Sequence, residues 1–365
     1  MNENTLHEFI YSLSTEQKTQ LIRSLTVEQK TEFLSILRQK KNSESDEKKT
    51  LISDILTNNK SANDIKEERF NYGLFCTKCG CTANIVKAGK GVNNKQRYLC
   101  KNCSKIFTST TNTFISFTKK DLDVWKKYIQ CMVRKYSLSK SAKECNISYR
   151  TSFMWRHKIL DALRLANKVE LSGIVEADET FFRVSYKGNA VDRASHRNND
   201  EIRKPGLSKE QVCVVCGIER EHKYAISKIG GLGKASIKTI SSVLDNKIKE
   251  KSIICTDKEK SYIKFAKSNN IELIRLEGYK SKKGIYHINH INSYHSRLKK
   301  FMKNFNGVST KHLNNYLIWN NVINENSSHN SESFMIDKTW CQGLQNVGCT
   351  LYKDVSSRPS IPDGV

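Results

Sequence analysis

Proline is scarce in this chain, with three residues in 365, and no stretch approaches the roughly 20 consecutive apolar residues of a membrane span. The first absence excludes a collagenous polymer, and the second a membrane-spanning helix. The start, residues 1–10, carries Glu3 and Glu8 and lacks a basic segment before an apolar run, so no secretory signal is expected. The twelve cysteines are therefore read as reduced thiols or metal ligands of a cytoplasmic protein. Acids are in deficit: 37 Asp and Glu face 62 Lys and Arg, a formal charge of +25 that attracts a polyanion such as nucleic acid. Residues 1–60 hold nine acids and nine bases, so the whole surplus lies beyond them. A mass of 41.9 kDa leaves room for two or three domains of roughly 100 to 200 residues each.

Residues 1–40 contain an echo at a period of twelve, Ser12 to Thr19 against Ser24 to Thr31. Ser14 with Gln17, and Thr26 with Gln29, have capping-box spacing, which predicts two short amphipathic helices suited to packing or oligomerisation. Residues 41–70 are rich in Lys, Ser, Asn and acids and read as a linker. Residues 71–112 hold Cys76-x2-Cys79 and, twenty residues on, Cys100-x2-Cys103. Four thiolates delivered from two knuckles suit a closed, structural zinc site, with a hairpin between them and Cys81 as a bystander. A zinc ribbon of this size has little core, so the metal supplies most of its folding energy.

Helical periodicity follows over 118–168. A short helix near Ser139 to Cys145, a tight turn at Asn146, Ser148 as N-cap and a second helix carrying Arg150, Thr151, Arg156 and Lys158 match a helix-turn-helix. Those four side chains are expected to face DNA.

Over 172–324 strands and helices alternate. Strands are expected at 173–186, 211–219, 223–229, 252–256 and 271–276, and helices at 234–249, 258–269, 289–304 and 309–322. Three strands in a meander followed by helix, strand, helix, strand and helix suggest an α/β mixed sheet of the RNase H-like kind. The polar segment 187–209 reads as an insertion, Cys213 and Cys216 as thiols on opposite strand faces, and 325–365 as an unassigned tail.

In that sheet order the first and fourth strands are neighbours, which brings Asp178 and Asp257 together where strand meets loop. Two carboxylates held close repel unless cations lie between them, and hard oxygen ligands with open positions suit magnesium or manganese. The segments Val175-Glu176-Ala177-Asp178-Glu179-Thr180, Cys255-Thr256-Asp257, His287 to Lys299 and Phe305 to Leu317 then resemble the DDE-type transposases of prokaryotic insertion sequences. The likeness is to the group with an N-terminal zinc ribbon and an Asn in the third position, and it covers roughly residues 74–320. It implies Asp178, Asp257 and Asn292 as catalytic metal ligands and Lys299 as the accompanying base. Asn292 contributes a carbonyl oxygen without charge, and Lys299 lies two helical turns beyond it on the same face. A rival zinc site of His287, His290 and His295 is disfavoured, because His290 and His295 diverge around a helix.

The function expected is binding of terminal inverted repeats by the ribbon and helix-turn-helix, with metal-dependent cleavage and transfer of double-stranded DNA by the α/β domain. Arg297 and Lys300 would add phosphate contacts, and a homo-oligomer would bring two element ends together. The alternatives are a non-catalytic, domesticated DNA-binding protein and a structure-selective nuclease.

Overall fold

A computed structural model describes residues 69–70, 73–91, 95–167, 169–188, 208, 210–277, 282–324, 332–345 and 348–361. The expected N-terminal helices, all of the linker but Arg69 and Phe70, the ribbon's Asn93-Asn94 turn and most of the 187–209 insertion lie outside the described residues. The chain divides into two units, 1–60 and 61–365.

The ribbon is a three-stranded antiparallel sheet, β1 (Ile85–Lys90), β2 (Gln96–Cys100) and β3 (Lys105–Phe107), in that order. Its apolar content is small: Tyr98 stacks on Phe107 with ring centroids 5.6 Å apart, and Phe70 packs edge-on against both. Gly80, at φ +75°, closes the first knuckle, and its amide donates to the Cys76 carbonyl at 2.9 Å.

Three helices follow: α1 (Leu122–Val133), α2 (Leu138–Glu144) and α3 (Tyr149–Ala166). Ser137 and Ser148 cap α2 and α3 by accepting from the amides of Lys140 and Thr151, and Asn146 takes a left-handed φ of +48° in the turn between them. Trp125 of α1 stacks on Trp155 of α3 at 3.7 Å, which closes the interior of the three-helix unit.

The α/β part is a five-stranded sheet. Its strands are β4 (Ile174–Arg183), β5 (Gln211–Glu219), β6 (Ala225–Leu232), β7 (Ile253–Thr256) and β8 (Glu272–Arg275), in spatial order β6-β5-β4-β7-β8. β4, β5 and β6 are antiparallel, whereas β7 runs parallel to β4 and β8 parallel to β7. The mixed RNase H-like sheet expected from the element order is thus present. Helices α4 (Ile237–Leu244) and α5 (Ser261–Ser268) cover one face, and α6 (Asn289–Lys303) and α7 (Leu313–Asn324) the other. α4 is shorter than the expected 234–249: Ser236 caps it, and Leu171 pairs with Ile248 in a parallel bridge beyond its end. Close packing of α4 on β6 requires Gly230, where a Cβ would lie 2.6 Å from the Thr239 methyl and 2.9 Å from its carbonyl oxygen.

Cys213 and Cys216 do lie on opposite faces, but neither points to solvent, because helices cover both sides of the sheet. The tail also departs from expectation. Helix α8 (Glu332–Gly343) places Met335 and Trp340 in one core with α1, α3 and α7, and α9 (Tyr352–Ser356) lies against α3. Arg358 then reaches Asp161 of α3 at 2.5 Å and the Nδ1 atoms of His157 and His312 at 3.3 and 3.2 Å. Helices α1 and α3 and the last helices of the α/β part therefore share a single apolar interior.

Candidate functional site

β4 is the spine of the site. Alternation puts Glu176 and Asp178 on the face covered by α6, and Ala177, Glu179 and Phe181 on the face covered by α5. Its parallel register with β7 pairs Ile174 with Ile253, Val175 with Ile254 and Glu176 with Cys255; Asp257 follows directly after the end of β7, and its charge acts on Asp178. Asp178 lies mid-strand in β4, whereas Asp257 lies just beyond the end of β7. Burial pushes Asp178 up to about 6, with the charge of Asp257 adding to the rise and Lys299 opposing it. Glu179, on the other face, is pushed up to about 7 by burial; the Tyr262 hydroxyl donates to it at 2.6 Å, opposing the rise, and the charges of Asp178 and Asp257 add to it. Three acids in one partly dry neighbourhood form an electrostatic demand for cations.

The other half of the site comes from α6. Asn292, His295 and Lys299 recur at helical spacing and share one stripe of that helix. Asn292 is half-buried and Lys299 exposed. His295 is buried, its Nδ1 lies 3.7 Å from Asp178 Oδ2, and its Nε2 is buried without a hydrogen-bond partner among the described residues. Burial, with Lys299 nearby, lowers its pKa to about 4, so the imidazole is neutral near pH 7.

What aims α6 at the aspartates is Glu176. This carboxylate is fully buried and accepts from the backbone amides of His290 and Ile291 at 2.8 and 3.1 Å, the open N-terminus of the helix. Arg220 Nε donates to it at 2.7 Å, while the same guanidinium holds the carbonyls of Ile285 and His287. His287 and His290 both turn toward Glu176, with Nδ1 atoms 3.2 and 2.8 Å from its Oε1. These three groups lie close enough to hold a metal, yet the Arg220 guanidinium occupies the same carboxylate oxygen and disfavours a cation there. Glu176 is the residue that reading the sequence passed over, and His295 entered it only through the disfavoured zinc site. The signal for Glu176 was an acid at a strand position facing the core, and for His295 its place midway between Asn292 and Lys299.

In the ribbon, the sulfurs of Cys76, Cys79, Cys100 and Cys103 all lie within 4.8 Å of one another. The pairs Cys76–Cys103 and Cys79–Cys100 stand 3.5 and 3.7 Å apart, near the edge of about 3.8 Å for a tetrahedron with metal–sulfur distances of about 2.3 Å. The donor set and spacing fit zinc. Cys81 is nearer than a bystander should be, at 3.3 Å from Cys79 and 3.2 Å from Cys100, contacts shorter than that edge.

The expected DNA-facing residues divide. Arg150 is exposed at the start of α3, its guanidinium 4.5 Å from the Tyr352 ring centroid, and Thr151 is half-buried with its hydroxyl against Ser148. Arg297 and Lys300 are exposed on α6, Arg297 bonding Ser293. Arg156 is a correction: only 1% exposed, it donates to the Tyr136 carbonyl and Ser141 hydroxyl and lies 5.0 Å from the Trp319 ring centroid. It sits about 240° around the helix from Arg150 and belongs to the buried stripe of Ser152, Ile159 and Leu163. Lys158 is likewise half-buried, its ammonium donating to the Ser116 carbonyl at 3.0 Å.

The sheet order, with helices on both faces, is the RNase H-like arrangement. Residues 170–318 match the family described as the ISXO2-like transposase domain, and the chain resembles the DDE-type insertion-sequence transposases. Over 273 residues it is 24% identical to "Uncharacterized protein in transposable element ISH50" of Halobacterium salinarum, covering 73% of this chain and 90% of that one. It also aligns with a chain of a simian T-cell lymphotropic virus intasome in complex with PP2A regulatory subunit B56 gamma. There the identity is 10% and the TM-score 0.27, over 53% of this chain and 67% of that one, too slight a likeness to bear on function. Among the described residues no helix is long and apolar enough to cross a membrane.

Proposed function

We propose that this transposase binds the terminal inverted repeats of an insertion sequence and cuts and joins double-stranded DNA at Asp178 and Asp257, with Asn292 as third ligand and Lys299 at the substrate phosphate. The observation that supports the reading is the parallel pairing of β4 with β7, together with the charge of Asp257 acting on Asp178. Asp178, Asp257 and the Asn292 carbonyl would hold magnesium or manganese, which supplies Lewis-acid activation of the attacking oxygen and charge neutralisation at the leaving oxygen. Lys299 supplies a fixed cation for the scissile phosphate, and Glu176 with Arg220 keeps α6 in register with the sheet. The exposed end of α3, with Tyr149, Arg150 and Thr151, enters the major groove, and Arg297 and Lys300 hold backbone phosphates. Cys76, Cys79, Cys100 and Cys103 bind a structural zinc, and a homo-oligomer pairs the two ends.

The test is incubation of the purified chain with labelled terminal-repeat DNA and manganese. Cleavage and joining that disappear in Asp178→Ala and Asp257→Ala support the reading. Binding without cleavage leaves a DNA-binding protein, and cleavage without joining leaves a nuclease; either result overturns it.

A further inference from the structure

We propose that the cavity between α3 and the segment 305–312 is a nucleotide site, which takes one unstacked base against its aromatic rings and the attached phosphate against its cations. Its expected source is the DNA strand that passes the start of α3, and in that respect the inference rests on the function proposed above.

Three observations converge. First, size and lining suit the ligand. The cavity holds about 470 Å³, within the roughly 300–1,000 Å³ of small-molecule sites. Phe153 and Phe305 line it, and aromatic faces accept any base, since every base has a π-face.

Second, the lining carries Arg156, Lys187 and Lys311 and no carboxylate. Arg156 is 1% exposed, and its guanidinium donates to the Tyr136 carbonyl and the Ser141 hydroxyl, both neutral acceptors. Its Nε has no hydrogen-bond partner, and no acid pairs with it among the described residues. A buried cation without a counter-ion is costly, and an entering phosphate supplies one. Lys187 is held by the carbonyls of Asn306 and Gly307 at 2.9 and 3.1 Å, which leaves one of its three hydrogens over. Lys311 forms no hydrogen bond or ion pair among the described residues. His157 and His312 also line the cavity. Burial, reinforced by the charges of Arg358 and Lys311, lowers His312 to about 3, and burial likewise lowers His157, so both rings are neutral near pH 7. Arg358 donates to both Nδ1 atoms, so each ring carries its proton on Nε2 as a further donor.

Third, the cavity opens beside the end of α3 proposed to enter the groove. Tyr149 lines it, is 58% exposed and makes no ring contact among the described residues, and it precedes Arg150 in the first turn. A base that leaves the stack near Arg150 therefore meets a ring first and the buried cations behind it.

A free nucleotide carries the same chemistry, and the experiment separates the two sources. The full chain, with zinc in the ribbon, is mixed with terminal-repeat DNA in which 2-aminopurine replaces one base at a time. One position should brighten on binding, as a base drawn out of the stack does. That response should be lost in Phe153→Ala and in Phe153→Leu, the second variant keeping bulk without a π-face should alanine impair folding. Lys311→Gln should weaken DNA binding and make its salt dependence shallower by about one unit of slope, as the loss of one phosphate contact does. In parallel, thymidine monophosphate is titrated into the chain without DNA. Monophosphate binding that Lys311→Gln weakens, with no brightened position in DNA, supports the site with a free nucleotide as its source. DNA binding that depends on Arg150, with neither a brightened position nor monophosphate binding, overturns the inference and leaves the proposed function standing. No binding of terminal-repeat DNA overturns the proposed function, and the monophosphate titration then decides the inference alone.

Discussion

Replacing Glu176 with alanine would remove a carboxylate that has no exposed surface and that joins β4, α6 and Arg220. Two amides at the start of α6 lose their acceptor, and a guanidinium only 16% exposed loses its counter-ion. Breaking a buried pair from one side costs about 3–5 kcal/mol, and Arg220 keeps its bonds to the Ile285 and His287 carbonyls, which places the expected loss near the lower figure. Against a typical stability of about 5–15 kcal/mol this is a large fraction. The assay is urea denaturation followed by far-ultraviolet circular dichroism. Tryptophan fluorescence would report elsewhere, since Trp125, Trp155, Trp319 and Trp340, the four in the chain, all lie in the helical core. Glu176→Gln, which keeps one acceptor oxygen, should lose less, and Arg220→Met should recover part of the alanine loss by removing the stranded charge. A loss under about 1 kcal/mol in Glu176→Ala, or no coupling in the double variant, would refute the idea that this contact holds α6 in place.

Other outcomes follow from the same geometry. Asp178 and Glu179 have folded pKa values raised to about 6 and 7 from ordinary values of 3.8 and 4.5, so the folded state binds more protons than the unfolded one between about pH 4 and 7. Metal-free stability should therefore fall as pH rises through that window, and Asp178→Asn should stabilise the metal-free chain by about 1–2 kcal/mol at pH 8 and hardly at all at pH 4, read from denaturation midpoints. Arg156→Ala should cost about 2–4 kcal/mol of stability, as a buried, bonded group. Arg150→Ala should leave stability within about 0.5 kcal/mol but weaken binding to terminal-repeat DNA about tenfold or more, by fluorescence anisotropy. Elemental analysis should find one zinc per chain, lost in Cys100→Ser and retained in Cys81→Ser.

The sheet was legible because its strands are β-branched runs separated by turn residues, and the order of hairpins and crossovers leaves few arrangements. The approach of Asp178 to Asp257 followed from that order alone. The fate of Arg156 did not, because the groups that cover it, Trp319 and the Tyr136 carbonyl, come from distant or irregular segments. A basic residue on a helix reads as solvated until its neighbours around the axis are counted, and here Ser152, Ile159 and Leu163 mark the inward face. Glu176 was masked by company: among three acids within four residues, nothing local says which one meets a helix terminus. The role of the tail was hidden for a similar reason, since Trp340 and Arg358 acquire meaning only against helices from the other end of the chain.

The common interior of α1, α3, α7 and α8 joins the helix proposed to read the groove to helices that also pack on the five-stranded sheet. If α3 grips the element end as proposed, the offset from the bases recognised to the bond broken is gauged by packed side chains and not by a tether. Substrates lengthened by a few base pairs between those two points should bind as before and be cut at the old distance, not at the old sequence.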